Sequence, residues 1–325
     1  MADKIKVLML QPIHEDGIKL FDDRFELLTA KDPSPAAVKA ELAGVQGIIV
    51  RIAGCPKEII DAAPDLKVIA KHGVGPDNID VAAATERGIL VLNTPDANAV
   101  SVAEHTVAAI GALAKRALYN DRAMRAGNWK VRGELKATDL DGKVLGLVGT
   151  GKIGTLVAKK CMGAFDMRVI AYDPYVKPEV AAANGITLVG DLAQLFREAD
   201  VVSLHTPLTP QTRNLVSAEL LAAMKPSAFL VNFARGEVVD EAALIAALQA
   251  GKIAGAALDV FQQEPPANDN PLFALDNVIL SPHSAAQTKE CVIRMSTTTA
   301  QGVIDALTGV RPRYIYNPEA LSAHK

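Results

Sequence analysis

Short β-branched runs alternate with amphipathic, alanine-rich segments along most of the chain. In the first third, Ile5–Leu10, Phe25–Leu28, Gly47–Val50, Val68–Ala70 and Leu90–Leu92 read as strands, and His14–Leu20, Pro35–Leu42, Lys57–Ala63 and Val81–Arg87 as helices. Pro35 and Pro56 fall where a helix would begin, the position at which a missing N–H costs least. From Ser101 to Gly127 helical spacing at Val102, Thr106, Ile110 and Leu113, without a strand signal, predicts one long helix connecting two domains. A second series follows, with strands at Val144–Gly149, Arg168–Asp173, Val201–His205, Ala228–Asn232, Ala256–Val260 and Val278–Leu280. These six strands with intervening helices predict a doubly wound nucleotide-binding domain. A helical stretch, Lys289–Leu307, could return to the first domain, and a polar tail, Asn317–Lys325, ends the chain.

Composition narrows the class. The 325 residues are 50% apolar, with 34 Lys plus Arg against 37 Asp plus Glu, a formal charge of −3. The length predicts two domains, each with its own core, and hence a cleft. A near-neutral balance lacks the basic footprint of a nucleic-acid binder. Cys55, Cys161 and Cys291 are widely spaced, with neither C-x-x-C spacing nor a paired framework, so buried thiols in a reducing compartment are expected and no metal site. No apolar run approaches the roughly 20 residues that span a bilayer, and a cytoplasmic protein without a membrane partner is expected. Aromatics are only 4%, which favours aliphatic parallel-sheet cores over a base-stacking or sugar-binding surface.

The sharpest local motif is Gly149-Thr150-Gly151-Lys152-Ile153-Gly154, a G-x-G-x-x-G run after a strand and before a helix. Its glycines suit a tight turn at Gly149, close approach to a pyrophosphate at Gly151 and helix-on-strand packing at Gly154. The helix N-terminus then offers N–H groups to the phosphates. Asp173, 19 residues after Gly154, ends the next strand, where a carboxylate would accept from the adenosine ribose hydroxyls and repel a 2′-phosphate. NAD is therefore the expected cofactor. A purely structural glycine turn with a surface Asp is the competing reading.

Three further strand ends carry polar side chains that structure alone does not require: Arg235, Glu264 and His283. Histidine can deliver a proton near neutral pH, and arginine's planar fork matches a 2-oxo-carboxylate. A glutamate beside the ring would fix its tautomer and keep a proton available. Singly, a surface salt bridge would account for Arg235 or Glu264, and a capping or core role for His283.

Together these motifs resemble the D-isomer-specific 2-hydroxyacid dehydrogenase family, most closely its short phosphoglycerate dehydrogenase-like and hydroxypyruvate reductase-like branch. The likeness runs from about Arg51 to about Thr308 through His72–Asp80, Asn93–Asn98, Ser101–Glu104, Gly149–Gly154, Asp173, His205–Thr212, Arg235, Glu264 and His283. The resemblance implies a Rossmann NAD-binding domain, residues 101–289, inserted in a flavodoxin-like substrate domain, residues 1–100 plus 290–325. It assigns catalysis to Arg235, Glu264 and His283. Cofactor contacts would come from Gly149, Gly151, Lys152, Ile153, Gly154, Asp173, Thr206, Pro207, Thr212, Phe233, Ala234, Arg235, Asp259, His283 and Ala286, with Asp259 accepting from the carboxamide. Arg51, Val74, Gly75, Asn98 and Arg235 would hold the substrate. A homodimer through the segment around Tyr119–Arg132 is also implied.

The implied reaction is NAD-dependent reduction of a small 2-oxo acid: glyoxylate, hydroxypyruvate, phosphohydroxypyruvate or a similar acid. 3-Phosphoglycerate dehydrogenase proper is an alternative, and so is an NAD(H)-sensing corepressor-like scaffold. Phosphate-specific members commonly follow the Arg in the loop matching Arg51 with hydroxyl and Lys positions; here Ile52 and Ala53 lack hydroxyls, and His72 stands where an Arg is frequent. The chain length leaves no room for the long enzymes' regulatory domain, so serine feedback through it is not expected. Glu264, where formate dehydrogenase has Gln, argues against that relative.

Overall fold

The structure, a computed structural model, describes residues 4–134 and 136–322; Met1–Asp3, Leu135 and Ala323–Lys325, the end of the predicted polar tail, lie outside the described residues. The chain divides into two compact units, one comprising the residues up to Asn98 and from Gln287 onward, the other Ala99–Ala286.

The first unit holds β1 (Ile5–Met9), β2 (Phe25–Thr29), β3 (Val45–Val50), β4 (Val68–Lys71) and β5 (Leu90–Leu92). Its order, β2-β1-β3-β4-β5 with every pair parallel, is flavodoxin-like. Period-two alternation divides the strands between two cores: Val7 and Met9 pack with Ala300 and Val303, while Leu8 and Leu10 pack with Ile48 and Ile59. Helix Lys289–Leu307 thus packs on this sheet. It also touches the short helix Glu15–Ile18, so closely that a Cβ at Gly17 would lie 2.7 Å from the Ser296 carbonyl oxygen.

The predicted polar tail begins differently than expected. Asn317 is buried; its Oδ1 accepts from Val91 N–H at 2.7 Å, and its Nδ2 donates to Thr85 Oγ1 at 2.8 Å and the Ile89 carbonyl at 3.0 Å. With the antiparallel Leu92–Ile315 bridge, these contacts cover the open edge of β5.

The second unit holds β6 (Val144–Val148), β7 (Arg168–Tyr172), β8 (Ile186–Leu188), β9 (Val201–Leu204), β10 (Phe229–Asn232), β11 (Gly255–Leu258) and β12 (Val278–Leu280). Its order is β12-β11-β10-β9-β6-β7-β8, all parallel. Counted from β6 this is the doubly wound dinucleotide-binding order, extended by one strand, with the switch between β6 and β9. Leu145, Leu147 and Val231 face one core, and Val148, Val202 and Leu230 the other. Seven strands replace the six predicted. The addition, β8, is a three-residue edge strand in which only Ile186 is buried, too little apolar pattern to register.

The single helix predicted over Ser101–Gly127 is two, Ala99–Ala114 and Ala117–Arg125. Arg116 breaks it in the left-handed region at φ 51°. Its guanidinium donates to Glu134 at 2.7 Å and lies 3.9 Å over the Tyr119 ring, whose hydroxyl donates to the same carboxylate at 2.8 Å. The first helix buries Val102, Ile110 and Leu113; the second buries nothing, because the apolar stripe ends before the break.

Candidate active site

Parallel strands place all their carboxyl ends along one edge of the seven-stranded sheet, the edge where such sheets bind ligands. Gly149–Gly154 follow β6 and Asp173 follows β7. Thr206, Pro207 and Thr212 follow β9, Phe233–Arg235 follow β10, Asp259 and Glu264 follow β11, and His283 and Ala286 follow β12. Each residue predicted for this unit therefore lies on a loop of that edge or, for Lys152, Ile153 and Gly154, in the first turn of the helix that follows one.

The glycine loop has the shape a dinucleotide requires. Gly149 has φ 94°, and a Cβ on it would lie 2.7 Å from the His205 carbonyl oxygen; one on Gly154 would lie 2.3 Å from the Gly149 oxygen. A Cβ on Gly151 would instead meet no atom within 4 Å. That open side stands at the N-terminus of helix Lys152–Phe165, which suits a pyrophosphate. Beneath the loop His205 is partly buried; burial lowers it to about 4, so the ring is neutral, paired with Ser203 Oγ at 3.0 Å. Thr212 Oγ1 donates to the Pro207 carbonyl at 2.7 Å and closes the turn after β9.

Asp173 is gripped on both oxygens. Oδ2 accepts from Thr150 N–H and Oγ1, each at 2.8 Å, and Oδ1 accepts from Tyr175 N–H at 3.0 Å and Val176 N–H at 3.3 Å. Partial burial works to raise this carboxyl, but the hydrogen bonds outweigh it and hold it below the usual carboxylate range.

Glu264 and His283 meet directly: His283 Nδ1 lies 2.7 Å from Glu264 Oε2. A carboxylate can only accept, so Nδ1 carries the proton and Nε2 is the nitrogen left to exchange one. Glu264 Oε1 accepts from Phe261 N–H at 3.1 Å, which fixes the carboxylate plane. Partial burial pushes Glu264 up, but the His283 hydrogen bond and charge, the Phe261 N–H and the charge of Arg235 together hold it down. Glu264 is thus ionised at neutral pH, in the field of Arg235.

Of two supports, Asn232 went unrecognised in the sequence and Asp259 was named there only as a carboxamide contact. Asn232, 1% exposed at the end of β10, donates from Nδ2 to the Arg235 carbonyl at 2.9 Å and accepts at Oδ1 from Ala234 N–H at 3.1 Å, pinning the turn that carries Arg235. Asp259, also 1% exposed, holds the histidine loop: Oδ1 accepts from Ser281 Oγ at 2.5 Å and Ser284 N–H at 2.7 Å, and Oδ2 from Ala285 N–H at 2.8 Å. Its carbonyl accepts from His283 N–H at 2.8 Å, and His283 itself sits at φ 50°. A left-handed histidine persists because the loop is bonded on both sides of it. The signal available beforehand was a polar residue at a buried strand end, the same as for Arg235.

In the first unit, Arg51 follows β3, Val74 and Gly75 follow β4, and Asn98 follows β5, again on one parallel edge. Arg51 donates to the Pro12 carbonyl at 2.7 Å. Its loop is caged: Gln11 Oε1 accepts from Ile52 and Ala53 N–H at 2.7 and 2.9 Å, and Lys71 Nζ donates to the Arg51 carbonyl at 2.6 Å. Ile52 is 80% exposed at the loop tip. Asn98 Oδ1 is buried with no hydrogen-bond partner among the described residues. His72 is buried against Ser296 Oγ at 2.9 Å, and burial, with the charges of Arg51 and Lys71, lowers it to about 4. That places it as a neutral, hydrogen-bonded residue rather than a cation. The three cysteines are buried and form no disulfide with one another; burial pushes Cys55, beside Asp80, and Cys161 up to about 12. Among the described residues no helix is long and apolar enough to cross a membrane, and no cluster of side chains could hold a metal ion.

Residues 107–285 match the family described as D-isomer specific 2-hydroxyacid dehydrogenase, NAD binding domain. The chain is 42% identical over 314 residues to a D-3-phosphoglycerate dehydrogenase of Methanocaldococcus jannaschii, a match covering 96% of this chain and 59% of that protein. It thus spans less than two thirds of the length of the phosphoglycerate dehydrogenases among its first relatives. A glyoxylate reductase of Korarchaeum cryptofilum is 39% identical over 332 residues, covering 98% of this chain and 97% of the relative. Among solved structures, an NADPH-dependent glyoxylate/hydroxypyruvate reductase from Sinorhizobium meliloti in complex with NADP and malonate superposes with a TM-score of 0.86 at 30% identity, covering 98% of each chain.

Proposed function

The chain belongs to the D-isomer specific 2-hydroxyacid dehydrogenase family, and from that premise we propose that it is an NAD-dependent enzyme that reduces a small 2-oxo acid to the 2-hydroxy acid. The observation that carries the proposal is the 2.7 Å His283–Glu264 pair on the carboxyl edge of a sheet whose glycine loop is shaped for a dinucleotide. Bound NADH supplies the hydride. His283 delivers a proton from Nε2 to the carbonyl oxygen as negative charge builds there, and Glu264 stabilises the protonated ring before transfer. Arg235 binds the substrate carboxylate and orients the carbonyl with its planar fork. Arg51, Asn98 and the Val74 and Gly75 N–H groups are the substrate-side contacts proposed for the first unit. Asp173 selects NAD over NADP, because a fixed carboxylate accepts from a ribose hydroxyl and repels a 2′-phosphate.

Glyoxylate and hydroxypyruvate are the favoured substrates. Ile52, 80% exposed where phosphate-specific members were expected to carry a hydroxyl, offers no hydrogen bond to a phosphate tail. A homodimer through the segment around Tyr119–Arg132 is supported by Leu118, Met124 and Trp129, apolar side chains that are 45%, 48% and 67% exposed. The test is a panel of glyoxylate, hydroxypyruvate and phosphohydroxypyruvate with NADH, run on wild type and His283→Ala. The variant should lose turnover by roughly 10²–10⁴-fold while still binding NADH; near-normal turnover would sink the assignment, and faster reduction of phosphohydroxypyruvate would sink the substrate preference.

A further inference from the structure

Thr150 occupies the first variable position of the glycine loop and is 8% exposed. Its N–H and its hydroxyl converge on one oxygen, Asp173 Oδ2, each at 2.8 Å. Its carbonyl accepts from Thr155 Oγ1 at 2.9 Å, in the first turn of the following helix. One residue therefore ties the loop after β6 to both the helix and the carboxylate after β7. Threonine suits the task because its β-branched side chain has few χ1 positions, so the hydroxyl is aimed before any ligand arrives.

A carboxylate offers about four acceptor positions, and those of Asp173 are unequally held. Oδ2 has two short contacts from Thr150, whereas Oδ1 has the long 3.3 Å contact with Val176 N–H besides Tyr175 N–H. Each oxygen thus carries two contacts, but the long one on Oδ1 is the most readily displaced by a ribose hydroxyl, and Oδ2 is the anchored oxygen. Without the anchor the carboxylate could swing away from an incoming 2′-phosphate.

We propose that Thr150 is a positioning residue for cofactor discrimination: its hydroxyl locks Asp173 so that a dinucleotide with a free adenosine 2′-hydroxyl is preferred over one carrying a 2′-phosphate. The inference rests on the NAD reading above and extends it to a residue that touches Asp173 rather than acting on the substrate.

The experiment measures dissociation constants for NADH and NADPH by fluorescence titration, without substrate, on wild type, Thr150→Val, Thr150→Ala, Thr150→Ser and Asp173→Ala. Removing the hydroxyl from a charged hydrogen bond should lower the NADPH-to-NADH ratio of dissociation constants by roughly tenfold in Thr150→Val and Thr150→Ala. Thr150→Ser should keep the ratio within about twofold of wild type, since it keeps the donor. General loosening of the loop would weaken both dinucleotides alike and leave the ratio unmoved. That outcome, with Asp173→Ala collapsing the ratio, overturns the role of Thr150 and leaves the NAD reading intact. Wild type without a preference for NADH overturns the NAD reading itself.

Discussion

Glu264 accepts two hydrogen bonds from two N–H donors, His283 Nδ1 at 2.7 Å and the Phe261 backbone at 3.1 Å, and Glu264→Gln cannot satisfy both. An amide of the same shape accepts with one end and donates with the other. If its oxygen keeps Phe261, the NH₂ faces Nδ1 and drives the ring proton to Nε2, the wrong tautomer for a neutral base. If its oxygen keeps His283, the Phe261 N–H is left facing a donor. A hydrogen bond to a charged group contributes about 1.5–3 kcal/mol, or roughly 10–150-fold in rate. The side chains are 53% and 37% exposed, so water screens the pair and the lower end applies: roughly a 10–30-fold loss of kcat.

Loss of the carboxylate charge also withdraws support for the imidazolium. Reduction uses the protonated ring, so the alkaline limb of its pH–rate profile should move to lower pH. Oxidation uses the neutral ring, and its acid limb should move the same way. Initial rates followed by NADH absorbance in both directions across the pH range, with NADH affinity as a control for folding, give the comparison. A Glu264→Gln enzyme with unchanged kcat and superimposable profiles would refute the pairing and the tautomer derived from it.

Two other outcomes follow from buried groups. Asp259→Asn replaces one accepting oxygen by a donor against the Ser281, Ser284 and Ala285 donors; the freed loop should let His283 leave φ 50°, with kcat falling by ~100-fold, equivalent to the loss of one to two such bonds. Wild-type kcat in that variant would show that the loop holds its shape without the anchor. His72 is lowered to about 4 when folded, below its unfolded value, so the stability linked to it is complete above the unfolded value and is lost as pH falls toward the folded one. A gap of about 2.5 units is worth ~3 kcal/mol, so urea unfolding at about pH 7 and about pH 4.5 should show a smaller acid loss in His72→Asn than in wild type. Equal losses would mean that burial of the ring is not what the acid limb reports.

The reading of fold and site from the chain was strongest where local pattern and chemistry coincide. Strands covered on both faces announce themselves as aliphatic runs, and the glycine spacing of Gly149–Gly154 is a backbone requirement visible in one dimension. Arg235, Glu264 and His283 stood out as candidates because polar residues at the ends of apolar strands have little structural reason to be there. Local pattern failed where the decisive contact is distant. β8 is too short to show a period, and Arg116 ends a helix through Glu134 and Tyr119, residues further along the chain. Asn317 reads as tail but pairs with Val91, more than two hundred residues earlier.

The sequence by itself determined most of the element types, the glycine loop and the candidate polar residues at the strand ends, because these depend on neighbours within a few residues. The tertiary structure decided how those side chains are held. Sheet order places loops from six strands on one edge, and buried Asn232 and Asp259 orient Arg235 and His283 through hydrogen bonds that only the folded chain can make. Thr150 shows the same division: as a letter it fills a variable position, and only the packing of β6 beside β7 brings its hydroxyl to Asp173.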